Sequence, residues 1–420
     1  MTVLRLAIQS LRNRWVTALL TVLAIALSVI LLLGVEKIRN SARASFANTI
    51  SGVDLIVGAR AGHIQLLLYS VFHIGNATNN VTWRSYQDVI SRNEVAWSVP
   101  ISLGDSHRGF RVVGTSKDFF EHYRFRRTRQ VSFASGGPFV DLFDAVVGSD
   151  VARELQYKLG QKIVVAHGIG ALQTLDHADM PFRISGVLAK TGTPVDRSVF
   201  VSLEAIEAIH INWQDGAPRQ GGIALTADQV RRLPLRPKAI TAAMIGLKSR
   251  LALFQVQRFV NDYRREPLTA ALPGLTLYEM WGLVGTAETA LLSVSFMVVV
   301  TSLLGMMTMI LATLNERRRE IAILRSVGAG PRTVLGLLVS EAAILTTAGV
   351  LLGTALVYVG LVIGQPIIDR SYGIFLEIKP LSMIELGMLA AIIVGGIVAG
   401  LLPAWRAYRL SLADGMTVRT

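Results

Sequence analysis

Four long runs of the sequence are nearly free of charge, at 15–35, 283–314, 334–368 and 383–402. They constrain the fold before any other feature, because about 20 apolar residues in helical form cross a bilayer core about 30 Å thick. The chain has 420 residues, 51% of them hydrophobic, which is more apolar than a soluble globular protein. The excess sits in the four runs, while residues 36–282 have ordinary globular composition. The expected fold class is a membrane protein of four transmembrane α-helices, with a large α+β extracytoplasmic domain between the first and second. The expected divisions are an amphipathic helix at 1–14, spans at 15–35, 283–314, 334–368 and 383–405, and an outer domain with stalk helices at 36–282. A cytoplasmic loop at 315–333, a short outer loop at 369–382 and a tail at 406–420 complete the chain.

Charge placement sets the orientation. Arg5, Arg12 and Arg14 precede the first span, and Arg317, Arg318, Arg319, Arg325 and Arg332 lie between the second and third. Arg406, Arg409 and Arg419 follow the fourth, whereas the loop between the third and fourth holds only Arg370 and Lys379. The positive-inside rule then places both termini in the cytoplasm of a multi-pass protein of the bacterial inner membrane. The first apolar run is longer than the h-region of a cleaved signal peptide and is expected to stay as an anchor. Outside 36–282 the basic residues collect beside the apolar runs, as expected for anchors at an anionic lipid surface. With no zinc-finger spacing and no RNP-like motif, nucleic acid is not an expected partner.

The outer segment begins and ends on helical patterns, at 36–48 and 251–263. Between them are short β-branched runs at 54–58, 110–114, 145–148, 162–166 and 183–188, with helices at 119–123, 149–159 and 203–209. A Gly/Pro/Gln-rich loop around 215–222 is expected to separate a second subregion at 212–260.

Tests for catalytic chemistry are negative. The sequence has no P-loop, no Gly-x-Ser-x-Gly elbow and no His-Glu-x-x-His pair. Its lack of cysteine removes disulfide and thiol chemistry. All seven histidines (His63, His73, His107, His122, His167, His177 and His210) fall in the outer segment. Asp176, His177 and Asp179 are clustered candidates for metal ligands, but a solvated turn is the plainer reading and no second cluster has ligand spacing. Asp141 and Asp144, three apart, are weighed as a carboxylate pair and read as a solvated face. The chain is expected to be non-catalytic, without a cofactor of its own.

The cytoplasmic loop carries the most specific pattern, Asn315-Glu-Arg-Arg-Arg-Glu-Ile-Ala-Ile-Leu-Arg-Ser-Val-Gly-Ala329. Read as a helix, it sets Glu316 and Glu320 one turn apart and aligns Ile321, Leu324 and Val327 in an apolar stripe. Gly328 is placed to end it in the left-handed region, with Pro331 just beyond. Such a segment is either a topogenic anchor or a docking element for a cytoplasmic partner.

The loop resembles the signature of MacB-type ABC permeases of the FtsX-like superfamily, close to Glu-Arg-x-x-Glu-Ile-Gly-x-x-Arg-Ala-x-Gly-Ala. Glu316, Arg317, Glu320, Ile321, Arg325, Gly328 and Ala329 fit it, and Ala322 replaces the usual glycine. Residues 6–14, 20–25, 113–120, 147–152, 184–188 and 402–407 are similar to other parts of the family. The resemblance implies a dimerising permease, formed with a second copy or a sister chain, that works with a separate ABC ATPase holding ATP-Mg. It makes Glu316, Arg317, Arg318, Glu320, Ile321, Arg325, Gly328 and Ala329 the coupling residues. It also implies mechanotransmission to the outer domain, for export of an envelope substrate, with a periplasmic adaptor or binding protein as a further partner. Two alternatives are a signalling scaffold that activates an envelope hydrolase, and service to a zinc-linked envelope system.

Overall fold

The computed structural model describes residues 2–126, 128–168, 177–214, 217–218, 225–316, 323, 325–372 and 378–409. They fall into two compact units, one of Met1–Ser41, Gly285–Ile367 and Leu376–Thr420, the other of Ala42–Val284 and Ile368–Phe375. The chain starts with an amphipathic helix α1 (Thr2–Asn13) and then a helix α2 (Trp15–Thr49), unbroken well beyond the apolar run.

In chain order the outer unit comprises β1 (Leu55–Ala59), α3 (His63–Val71), α4 (Trp83–Ile90), β2 (Val95–His107), β3 (Phe110–Thr115), α5 (Asp118–His122) and β4 (Phe133–Gly136). It continues with β5 (Asp144–Val147), α6 (Ser149–Glu154), β6 (Lys162–Ile163), β7 (Ala166–His167), β8 (Phe182–Leu188), β9 (Ser198–Ser202) and α7 (Leu203–Ile209). The unit ends with α8 (Ala227–Val230), β10 (Ala242–Leu247), α9 (Leu253–Asn261) and β11 (Leu268–Ala271).

Eleven strands form one sheet, in the order β11-β1-β10-β2-β3-β9-β5-β8-β4, with β7 beside β2 and β6 beside β8. Pairing is antiparallel except for β3 with β9 and β5 with β8. Helices cover both faces, which explains why several strands are continuous apolar runs rather than alternating ones. In β9, Phe200 packs into one core with Phe119 and Phe120, while Val199 and Val201 point into the opposite core with Phe182 and Ile184. Phe200 stacks on Phe119 at 4.8 Å between ring centroids. The Ser202 hydroxyl accepts from the Ala205 amide and starts α7 directly at the end of that strand.

Three expectations change here. Residues 212–260 are not a separate subregion, because β10 pairs along β2 and β1 as an interior strand of the main sheet. Residues 162–166 are not one strand; β6 and β7 leave the run to pair with β8 and β2, respectively. The helix expected at 149–159 stops at Glu154, and Gln156 takes a positive φ that ends it. The longest strand, β2, has no expected counterpart because its polar residues interrupt the alternation.

The membrane unit is completed by α10 (Pro273–Glu316), α11 (Pro331–Tyr372) and α12 (Met383–Arg409). Among the described residues four stretches are long and apolar enough to cross a membrane, the shortest being the 26 residues of Met383–Tyr408. At 1.5 Å per residue that is about 39 Å, enough for the hydrocarbon core. Glycines set the close crossings. A Cβ at Gly349 would fall 2.6 Å from Ile25, one at Gly353 2.7 Å from the Ala26 carbonyl, and one at Gly396 2.1 Å from Thr346. These positions bring α11 against α2 and α12 against α11. Glu341 is buried, as a carboxylate within a span should be.

A buried ion pair adds to this packing. Lys37 Nζ lies 3.1 Å from Glu385 Oε2, with side chains only 8% and 2% exposed. The ammonium also donates to the Lys379 carbonyl at 3.1 Å, and Glu385 forms a capping box with Ser382 at the start of α12. Arg39 pairs with Glu36 at 3.0 Å and with Glu288 at 3.1 Å, which accounts for the glutamate within the second run.

Removing one partner of a buried pair strands the other. Glu385→Ala is expected to lower the stability of the membrane unit by about 3–5 kcal/mol, read as thermal unfolding in detergent. Phe200→Ala is expected to destabilise the outer unit by about 3–5 kcal/mol, seen as earlier loss of its near-ultraviolet dichroism on heating.

Candidate functional site

The residues singled out in sequence fall in two places. In the loop, Glu316 closes α10, while Arg317, Arg318, Glu320 and Ile321 lie outside the described residues. Beyond them a helical turn contains Arg325, and the Val327 amide donates to the Ile323 carbonyl at 3.1 Å. Gly328 has φ +99 and its amide donates to the Arg325 carbonyl at 3.1 Å, the left-handed ending expected there. Ala329 is half-buried, and Pro331 opens α11 as a first-turn proline. Ile323 and Val327 are exposed beside this turn.

The second place joins residues that are far apart in sequence. Between Leu103 and Ser106 the β2–β3 register slips by one residue, a bulge that re-aims Asp105. On its other side β2 pairs with β7, with His167 directly opposite Asp105. His167 Nδ1 donates to Asp105 Oδ1 at 3.1 Å. His210 caps the C-terminus of α7, and its Nδ1 contacts the Ile206 carbonyl at 2.7 Å. A carbonyl only accepts, so Nδ1 holds the proton and Nε2 faces the cluster, 3.1 Å from His167 Nδ1 and 3.6 Å from Asp105 Oδ1. His177 completes the group, its amide tied to the Val165 carbonyl at 2.9 Å and its ring 5.0 Å from that of His210. One ligand atom from each of Asp105, His167, His177 and His210 lies within 4.8 Å of all the others. Trp213 covers His177 at 4.3 Å between centroids and lies along His167 at 6.0 Å.

The ionisation of these groups follows from burial and from each other. Burial raises the Asp105 carboxyl, but hydrogen bonds from His167 and His210 outweigh it and leave the pKa at about 2. Burial, then the charge of His210, pushes His177 down to about 4. Burial also opposes the charged form of His210, yet the hydrogen bond and charge of Asp105 prevail and raise it. At neutral pH the carboxylate is ionised and His177 is a neutral imidazole, the forms in which these groups ligate metals.

His177 differs from other buried histidines in the unit. His107 has both nitrogens engaged, Nδ1 with the Val164 carbonyl at 2.6 Å and Nε2 with the Tyr157 hydroxyl at 2.8 Å. His177 is 0% exposed and neither ring nitrogen has a hydrogen-bond partner among the described residues. Of its expected neighbours in a ligand cluster, Asp176 lies outside the described residues, and Asp179 is exposed and bonded to Asn212 at 3.4 Å. Residues 105, 167, 177 and 210 follow no ligand spacing; of the four only His177 is a ligand candidate by sequence, beside Asp176 and Asp179 rather than the three residues it meets.

Asp141 and Asp144 are not a solvated pair. Asp144 is buried, takes the amides of Val140 and Asp141 at 3.0 and 2.9 Å, and pairs with Arg183 at 2.8 Å. Asp141 instead pairs with Arg231 at 3.2 Å. Both carboxylates are engaged in holding the turn before β5.

Comparison with known proteins follows the same division of the chain. The family described as MacB-like periplasmic core domain matches residues 18–235, and that described as FtsX-like permease C-terminal matches residues 292–412. The macrolide export ATP-binding/permease protein MacB of Nitrobacter winogradskyi is 24% identical over 98% of this chain and 59% of its own length. The pyoverdine export ATP-binding/permease protein PvdT of Pseudomonas fluorescens is 25% identical over 76% of this chain and 44% of its own. The chain thus spans about half the length of these curated relatives. Among solved structures, the periplasmic region of MacB from Actinobacillus actinomycetemcomitans aligns with a TM-score of 0.33 at 9% identity, over 55% of this chain and 94% of that one.

Asp144 provides a pH test of the structural role. Burial raises its pKa, but the amides and Arg183 more than offset this, so the folded carboxyl sits below its ordinary value. Its contribution is therefore complete above about pH 4 and is lost as pH falls through the folded pKa. Asp144→Asn is expected to destabilise the protein by about 1.5–3 kcal/mol at pH 7, with the difference from wild type shrinking below about pH 4 in denaturant titrations.

Proposed function

This chain belongs to the MacB-type, FtsX-like family of ABC transporter permeases, and from that premise we propose that it couples a cytoplasmic ATPase to an outer-domain motion. The observation that carries the reading is the loop at 315–329, which holds the family signature and joins two membrane helices with no room for a domain of its own. The sequence carries no P-loop, so in this reading ATP-Mg binding and hydrolysis are the work of an ABC ATPase outside residues 1–420. Glu316, Arg317, Arg318, Glu320 and Arg325 make ion pairs with a groove on that partner, and Ile321 seats the helix against it. Gly328 and Ala329 close the segment so that its displacement is passed to α11.

Arginine placement favours the bacterial inner membrane with both termini in the cytoplasm, so that residues 36–282 face the periplasm. The permease works as a dimer, with a second copy or a sister chain. The unbroken helices α2 and α10 carry motion outward without a substrate path through lipid. The relatives are named for macrolide and pyoverdine export, which supports export or extrusion of an envelope substrate here, with an adaptor or binding protein on the outer side. The size of the outer unit disfavours the signalling-scaffold alternative. The meeting of three histidines and an aspartate favours the metal-linked one as a second reading.

The test is purification of the tagged chain from native membranes in mild detergent, with its partners identified. An ABC ATPase should be recovered. Glu320→Lys should insert normally yet recover at least about tenfold less ATPase, since reversing a charge in a docked pair costs more than about 1.4 kcal/mol. Equal recovery with the variant would reduce the loop to a topogenic anchor.

A further inference from the structure

We propose that Asp105, His167, His177 and His210 form a binding site for a divalent transition-metal cation of the zinc class in the outer unit. Three imidazoles and one carboxylate match the donor set of a four-coordinate zinc site. The all-oxygen sites of magnesium and calcium differ from it, and without cysteine there is no thiolate for softer ions.

Geometry supports the assignment. Tetrahedral coordination with bonds of about 2.0 Å separates neighbouring donors by about 3.3 Å. The three separations among Asp105 Oδ1, His167 Nδ1 and His210 Nε2 are 3.1, 3.1 and 3.6 Å. His210 is oriented by the bond from its other nitrogen to the Ile206 carbonyl, the arrangement that holds metal-bound histidines elsewhere.

A second observation points independently to a ligand. Burying an imidazole with both nitrogens unpartnered is costly, and nearly all buried polar groups avoid it. Among the described residues His177 is such a group, fully buried beside the other three. A cation would give one of its nitrogens a partner and would neutralise the buried Asp105 carboxylate. His167, 38% exposed, leaves one side of the cluster open for the ion to enter and leave.

Metal binding is measured on the chain alone, so its outcome is independent of whether an ATPase is recovered. The detergent-purified full chain, stripped with a chelator, is titrated with Zn²⁺ against a chromogenic competitor. One Zn²⁺ per chain is expected, with a rise in thermal midpoint on loading. His177→Ala and Asp105→Asn should each weaken binding by more than about 100-fold, beyond the usual effect of changes around a metal's own ligands. Because His177→Ala opens a buried cavity, His167→Ala at the exposed edge is the control that retains the fold, with the same loss expected. X-ray absorption of the loaded protein should show nitrogen and oxygen donors at about 2.0 Å. If wild type bound Zn²⁺ no more tightly than His167→Ala, or if the bound ion lacked imidazole donors, the site would be ruled out.

Discussion

No water reaches the hydrocarbon core of a bilayer, so each peptide N–H and C=O there must find its partner within the protein. That constraint produces the four long helices and decides much of what else the membrane unit does. Once every span is helical and apolar, hydrophobicity no longer discriminates between helix contacts, and close van der Waals fit has to. Gly349, Gly353 and Gly396 supply it by letting α11 approach α2 and α12 approach α11 at distances a side chain would forbid. The same low dielectric makes ionised groups costly unless paired, and Lys37 and Glu385 meet that condition. Glu385 sits in the first turn of α12 and Lys37 just past the apolar run of α2, where the backbone carbonyl of Lys379 and the capping box of Ser382 are also available.

A different constraint orders the outer unit. Its sheet is covered on both faces, so its register is strongly specified: sliding a strand by one residue would exchange the two cores. In β9, Phe200 would change sides with Val199 and Val201. Against that background the one-residue bulge beside Asp105 is a local departure with a local effect, turning a carboxylate toward the opposing His167. The rigid sheet holds two members of the cluster and the end of α7 holds a third, so the spacing of the donors is set by the fold rather than by the cluster itself.

The two functional regions use charge in opposite ways. In the proposed coupling role the loop residues of 315–329 would meet a partner through short-range ion pairs at a water-exposed surface, where each is modest and their sum gives specificity. The histidine cluster concentrates polar atoms inside a packed unit, where any unpaired donor or acceptor is expensive. For that reason His177, without a hydrogen-bond partner among the described residues, has more weight as evidence than several exposed carboxylates would.

The amino-acid sequence alone determined the four spans and the family signature in the loop, because helix length, apolar content and a contiguous motif are local properties. Strands such as Leu55–Ala59 and Phe110–Thr115 were legible for the same reason, being short β-branched runs with clear ends. The tertiary structure decided what depends on residues far apart along the chain. It placed Ala242–Leu247 inside the main sheet, between β1 and β2, rather than in a separate subregion, and split 162–166 between two neighbours. It also turned Asp141 and Asp144 to different arginines. Most of all, it gathered Asp105, His167, His177 and His210 across more than a hundred positions. Their proximity comes from a strand pairing, a bulge and a helix end, and pairings between distant strands leave no periodic trace in the sequence.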